Sequence, residues 1–282
     1  MKLLSSASVR RTGYVLFGAL LFLALVSYVR SHTASATPST SRADVLRVAV
    51  LGGPEEEVLT LVAAQHPELH LELERFSDAD AARRALDSGN VDVGSFESAR
   101  DVETIGKAAP RRVLHPTVTL PFAFYSRDLR SIDAIPHGTR VLVPTGALEA
   151  RAVHVLTTAG AIGCSSTDGV CTKLADVVTN PRELQLVPLA PSEVAALTEK
   201  GRDALPSAAL VGLDFAGAKR LGWSPARHGL LVEDAFTPFC QVLSVPSTSE
   251  RPDLDALVSA YRSREVKDFL LRRYEDAVRR PW

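Results

Sequence analysis

The sequence predicts an α/β protein of two lobes preceded by an N-terminal apolar helix. Three observations lead there. Short Val- and Leu-rich runs alternate with helical segments from Val45 onward. Two extended runs, near residues 120–126 and 237–246, divide that alternating material into two groups. A long apolar stretch lies near the N-terminus. Strands separated by helical segments imply crossover connections and a mostly parallel sheet.

The apolar stretch runs from Gly13 to Val29, interrupted only by Ser27, with Arg10 and Arg11 in front of it. A basic start followed by an apolar core is the pattern of an export signal. Ala34-Ser35-Ala36 offers a small-residue cleavage site, and the run is also nearly long enough to span a bilayer. Residues 1–36 therefore read as either a signal peptide or a membrane anchor, and residues 37–44 as a linker rich in Ser, Thr and Ala. The flanking arginines place the rest of the chain outside the cytoplasm in both cases. The expected location is periplasmic or extracytoplasmic.

The first group of elements starts with VLRVAVL (Val45 to Leu51), a strand that Gly52-Gly53-Pro54 turns into a helix over Glu55 to Gln65. LHLELERF alternates apolar and polar residues as a half-buried strand does. A short helix over Asp80 to Leu86 and the strand VDVGSF follow. In the second group PFAFYS, TRVLVP, ELQLVPL and SAALVGL read as strands, with a helix over Ala147 to Ala159. PFCQVLSVP reads as a strand returning to the first group, and two helices, Pro252 to Tyr261 and Glu265 to about Ala277, close the chain. This gives lobe 1 as residues 45–122 plus 241–282 and lobe 2 as residues 123–240. One continuous α/β domain is the alternative.

Arg151 lies close to the start of the Ala147–Ala159 helix, where positive charge is least favourable. Thr145 reads as the N-cap of that helix. Helical side chains tilt toward the N-terminus, so Arg151 can reach back to the unpaired amides there. A guanidinium so placed can hold a carboxylate with two parallel hydrogen bonds. A structural pair with an Asp or Glu of the same chain is the other reading. Ligands of open α/β sheets bind beyond the carboxyl ends of the strands, which here face a cleft between lobes.

Cys164 and Cys171 bracket the loop CSSTDGVC, which predicts a disulfide in an exported protein. Cys240, within PFCQVLSV, reads as a buried small hydrophobe. Three cysteines and seven scattered histidines offer no metal-ligand spacing, and no cofactor is expected.

From Arg47 to Trp282 the chain resembles the methionine-binding lipoproteins of bacterial ABC importers, the NlpA/MetQ type. The likeness rests on PFAFYSRDLRSIDAIPHGTRVLVP, on DVVTNPRELQLVPL and on the ending SREVKDFLLRRYEDAVRRPW. It implies a two-lobed periplasmic-binding fold (type II-like), its lobes joined by two crossing strands. It also implies an extracytoplasmic solute-binding role, with an ABC permease and ATPase as partners and a small amino acid or carboxylate as ligand. The family's carboxylate-binding arginine falls on Arg151 and its pocket aromatic on Phe96. Ala79 stands where the family has a tyrosine, Ser98 and Asp101 where it has a histidine and a tyrosine, and Gly212 where it has an asparagine. Loss of hydrogen-bonding partners loosens discrimination, so a ligand other than strictly methionine is expected. Glu97, Asp101 or Asp214 are candidates to meet an amine. No cysteine lies near the end of the apolar stretch, so the family's lipid-attachment site has no counterpart.

Several classes are disfavoured. The formal net charge is −1, and without Lys2, Arg10, Arg11 and Arg30 the remaining 28 basic residues face 33 acidic ones, a balance of −5. That gives no electrostatic reason to expect nucleic acid. There is no G-x-S-x-G elbow and no phosphate-cradling glycine loop, so an enzyme is not expected. A membrane-tethered sensor or interaction protein that keeps the fold without transport is the alternative function.

Overall fold

The structure, a computed structural model, describes residues 44–105, 109–166 and 170–282. The expected signal or anchor over residues 1–36, and nearly all of the linker, lie outside the described residues. Among the described residues no helix is long and apolar enough to cross a membrane.

The chain enters its first sheet through β1, Leu46–Val50, and passes through a helix, Pro54–Gln65, to β2, Leu71–Arg75. A helix, Ala79–Asp87, leads to β3, Val93–Ser98, and another, Ala99–Ile105, precedes β4, Arg111–Pro116. The second sheet begins with β5, Ala123–Tyr125, then β6, Arg140–Pro144, and a helix, Glu149–Thr158. A small ribbon of β7, Gly163–Cys164, and β8, Val177–Thr179, precedes β9, Gln185–Leu189. After a helix, Pro191–Lys200, come β10, Ala209–Leu213, two short helices, and β11, Leu231–Val232. The return is β12, Gln241–Pro246, followed by helices Leu254–Tyr261 and Arg264–Tyr274.

Two five-stranded sheets result, ordered β2-β1-β3-β12-β4 and β11-β5-β10-β6-β9. Their cores are separate. In the first, Leu46, Val48 and Val50 of β1 pack with Val58, Leu59 and Val62 of the following helix and with Leu257 and Tyr261. In the second, alternation divides β6 between two faces: Val141 and Val143 join one cluster and Leu142 the other. Each such fully buried Val or Leu contributes about 1.5–3 kcal/mol relative to exposure.

The expectation of mostly parallel strands needs one amendment. β1 runs parallel to β2 and β3, and β6 runs parallel to β9 and β10. The crossing strands do not: β12 is antiparallel to β3 and β4, and β5 is antiparallel to β10. A crossing strand enters its sheet from the junction between lobes. It therefore runs against strands whose carboxyl ends point to that junction.

The helix after β6 also differs from its predicted start. Gly146 has φ +71°, a left-handed conformation that favours glycine, and a 3₁₀ turn, Gly146–Leu148, precedes the α-helix proper. Thr145 makes no side-chain cap. Its Oγ1 donates to the carbonyl of Leu189 at 3.2 Å instead. Arg151 is consequently the third residue of the helix and lies in its first turn.

Candidate ligand-binding cleft

Arg151 projects from the Glu149–Thr158 helix to the junction of the lobes. The crossing segment after β11 brings Glu233 to the same place. The two form an ion pair, with the Glu233 side chain fully buried and Arg151 15% exposed. Arg151 Nε donates to Glu233 Oε1 at 3.4 Å, and Nη2 donates both to Glu233 Oε2 and to the Leu120 carbonyl, the latter at 2.7 Å. Glu233 is held further by the backbone N–H of Phe122 at 2.9 Å and by Thr237 Oγ1 at 2.9 Å. Arg279 Nη1 donates to its main-chain carbonyl at 2.6 Å.

The sequence left two roles open for Arg151, and the structural pair is the one observed. Glu233 occupies the Nε–Nη2 edge that would make the strongest fork with a ligand carboxylate, so that bidentate grip is not free. The pair is also electrically neutral, so an incoming anion meets no net charge there. The Nη1 edge has no hydrogen-bond partner among the described residues. The guanidinium carbon lies 6.0 Å from the centre of the Phe239 ring, and His154, one helical turn on, meets that ring edge-on at 5.6 Å. Burial keeps the His154 imidazole below its ordinary pKa; the Glu233 charge opposes that and the Arg151 charge adds to it.

The remaining expected site residues divide between the lobes. Phe96 is 8% exposed and packs with Ala49, Ala82, Ala85, Leu86 and Val91, and Ala79 leans on the same cluster. Phe96 and Ala79 are therefore brought together, under the Ala79–Asp87 helix. Ser98 is engaged locally: its Oγ donates to Asp101 Oδ2 at 2.7 Å and its N–H to the same oxygen at 3.0 Å. On the other lobe, a Cβ added to Gly212 would sit 2.7 Å from Phe122 Cζ and 2.8 Å from Pro144 Cδ. The Phe122 ring fills the space into which an asparagine side chain would extend.

None of the three candidate amine acceptors is free. Asp101 is the partner of Ser98. Asp214 Oδ1 accepts from Gly217 N–H at 2.8 Å and caps the Phe215–Arg220 helix. Glu97, 1% exposed, is gripped by Arg83 Nε at 3.1 Å and by the equally buried Arg111. Burying a carboxylate without such partners would cost several kcal/mol, which explains why two arginines converge on it.

Sequence reasoning missed Glu233, Phe122, His154 and Phe239. Glu233 follows an apolar strand end, LLVED, where an acid ordinarily reads as the start of a solvated turn. Cys164 and Cys171 are joined by a disulfide, with Cα atoms 6.3 Å apart, and Cys240 is a buried free thiol. Among the described residues no group of three His, Cys, Asp or Glu side chains gathers as a metal site.

Two sheets joined by antiparallel crossings, with a buried ion pair at the junction, set the geometry against which relatives can be compared. The sequence pattern of the NlpA lipoprotein family matches residues 46–282. The chain belongs to the NlpA lipoprotein family. A D-methionine-binding lipoprotein MetQ from Yersinia pestis is 26% identical over 252 residues, covering 87% of this chain and 91% of that protein. Outer membrane lipoprotein 2 of Mannheimia haemolytica is 25% identical over 281 residues, covering 94% and 99%. Among solved structures, the crystal structure of the methionine-binding protein MetQ superposes with a TM-score of 0.66 at 26% identity, over 85% of this chain and 99% of that one. The NlpA scaffold thus extends from β1 to the C-terminal tail.

Proposed function

We propose that residues 45–282 act as the extracytoplasmic solute-binding component of an importer of the methionine-uptake type. A small carboxylate or amino acid enters between the lobes, and closure presents the protein to a membrane permease with its ATPase. The observation that supports this reading is Arg151 at the lobe junction, its Nη1 without a hydrogen-bond partner among the described residues and its guanidinium carbon 6.0 Å from the centre of the Phe239 ring. With Glu233 on Nε and Nη2, Nη1 is left to meet a ligand carboxylate, which supports a ligand that is not strictly methionine. The Phe122 ring against Gly212 points the same way, because it removes room for a side-chain amide.

Calorimetric titration of the purified protein with D-methionine, L-methionine and a panel of small carboxylates tests it. We expect at least one small carboxylate to bind more tightly than either methionine enantiomer, with binding weakened in Arg151→Ala. No heat from any member of the panel refutes the reading.

A second reading has its own support. Glu233 neutralises Arg151, and Phe122 closes the Gly212 side, as in a scaffold that no longer needs a ligand. A tethered sensor or interaction protein would then keep the NlpA fold without transport. Mass spectrometry of small molecules released from native protein separates the two: a stoichiometric carboxylate supports the receptor, and an empty cleft supports the scaffold.

A further inference from the structure

A cavity of about 250 Å³ opens at the end of the second sheet away from the cleft. The strand directions fix its position. β6, β9 and β10 deliver their carboxyl ends, Pro144, Leu189 and Leu213, toward the cleft. β5 runs against β10, so Ser126 and the residues after it emerge at the opposite edge. β11 is also antiparallel to β5 and starts at that same edge. The cavity is lined there by Ser126, by the stretch leading into β11, and by four arginines: Arg127, Arg130, Arg202 and Arg227.

The lining carries no acidic side chain. Two of the four cations have acid partners nearby. Arg127 Nε donates to Asp128 Oδ1 at 3.1 Å, and Arg227 pairs with Glu275 where both side chains are about two-thirds exposed. Arg130 and Arg202 make no ion pair among the described residues. Their hydrogen bonds go to main-chain carbonyls, which position a guanidinium without cancelling its charge. Arg202 is the better fixed: Nε donates to Leu221 O and Nη2 to Gly222 O, each at 2.6 Å, and its guanidinium carbon lies 5.4 Å from the Trp223 ring centre. Arg130 Nη1 donates to the carbonyls of Arg127 and Leu129 at 2.8 and 3.1 Å. His228 adds a donor. Its Nδ1 accepts from Ser224 N–H at 3.0 Å, which leaves the ring proton on Nε2.

The four guanidiniums on one small concavity repel one another, although Glu275 and Asp128, which also acts on Arg130 through space, offset part of that charge. An anion in the cavity relieves that repulsion. Guanidinium N–H groups match phosphate oxygens in plane and spacing. Arg127, whose Nε, Nη1 and Nη2 already donate to Asp128, Asp203 O and Ser207 Oγ, contributes charge rather than a free fork. We propose that this arginine-lined cavity is a binding site for a phosphate-type oxyanion, separate from the inter-lobe cleft. The phosphate comes either from a soluble phosphate compound or from the headgroup of an anionic phospholipid.

The test titrates the full chain, in non-ionic detergent, with pyrophosphate and separately with short-chain phosphatidylglycerol, using short-chain phosphatidylcholine as the zwitterionic control. Calorimetry should show one site, weakened about tenfold by Arg130→Glu and by Arg202→Glu, and weakening as salt rises. Arg130→Glu and Arg202→Glu should leave the cleft's response to the small-carboxylate panel unchanged, which separates this site from the cleft. Variants are compared only where their circular dichroism and melting match the parent, and Arg130→Gln serves if a charge reversal fails that check. Pyrophosphate alone binding assigns a soluble ligand, and phosphatidylglycerol alone binding assigns a headgroup. Heat from neither, or heat unchanged in both arginine variants, overturns the proposal.

Discussion

Glu233 closes on Arg151 at the lobe junction: the arginine belongs to a helix of the second lobe, and the glutamate to the segment after β11 that leads back toward the first. The same carboxylate takes Phe122 N–H from the outgoing crossing and Thr237 Oγ1 from the return. One buried group thereby ties together both connections between the lobes. A charge so placed is stable only while all its partners remain.

Removing one member of that pair should be costly. Arg151→Ala leaves a fully buried carboxylate with only neutral donors, and a loss of about 3–5 kcal/mol in denaturant stability is expected. Replacing both members together, Arg151→Met with Glu233→Leu, should cost much less than the two single changes summed. Additive losses in that double-mutant cycle would mean the pair is not coupled.

Glu233→Gln asks a different question. The amide keeps the size of the carboxylate and an acceptor for Phe122 N–H, but it leaves the Arg151 charge uncompensated. Small carboxylates should then bind about tenfold more tightly, read by calorimetry. Unchanged affinity would place the ligand contact away from Arg151.

Gly212 gives a steric prediction. Phe122 Cζ and Pro144 Cδ already stand within 2.8 Å of where a Cβ would lie, and Phe124 Cε1 is at 3.0 Å. Gly212→Asn should therefore destabilise by about 1–3 kcal/mol through overpacking. Adding Phe122→Ala supplies room. Phe122→Ala is itself costly, by about 3–5 kcal/mol, because Phe122 is fully buried. In that background the asparagine should cost less than it does in the parent, and thermal melts of both single variants and the double test this.

Two kinds of strand are legible in the sequence: LHLELERF, whose alternation marks the edge strand β2, and strands whose side chains are nearly all apolar. VLRVAVL, TRVLVP and SAALVGL are apolar nearly throughout, and each lies inside a sheet with both faces covered. β4 was not anticipated. It opens with two arginines, Arg111 and Arg112, and lies at a sheet edge where pattern is weak. The helix Pro191–Lys200 was missed as well, although Pro191 at its start and Glu193, which accepts Ala190 N–H at 2.7 Å, are recognisable start signals. The site was harder for a physical reason. Glu233 and its partners Phe122 and Arg151 are 111 and 82 residues apart, and no local spacing encodes such a meeting. The Thr145 cap failed similarly, because Leu189 O, 44 residues on, competes for the hydroxyl.

The Cys164–Cys171 bond closes a loop with a sequence separation of seven. Loop-closure entropy for so short a loop gives about 2–3 kcal/mol of stabilisation. Reductant should lower the unfolding free energy of the parent, read from denaturant titration, by that amount and leave a Cys164→Ser/Cys171→Ser variant unaffected. Equal responses of the two proteins would show that the bond contributes nothing to stability.

The pH dependence of stability should carry two opposing slopes from the first lobe. Burial raises the Glu55 carboxyl from 4.5 to about 7. As pH rises from 4.5 to 7, the unfolded chain releases that proton while the folded chain keeps it, so this group lowers stability through that window. Burial, with help from the Arg262 charge, lowers His115 from 6.5 to about 4. Between 4 and 6.5 the unfolded histidine binds a proton that the folded one refuses, so this group raises stability with pH. The two nearly cancel where the windows overlap. The parent should therefore show a shallow profile there, apart from the contributions of its other carboxylates. Glu55→Gln should unmask a rise of about 2–3 kcal/mol between pH 4 and 6.5, and His115→Asn a fall of similar size up to pH 7. Denaturant midpoints measured at half-unit pH steps decide it. Parallel profiles for the parent and both variants would show that neither group titrates differently on folding.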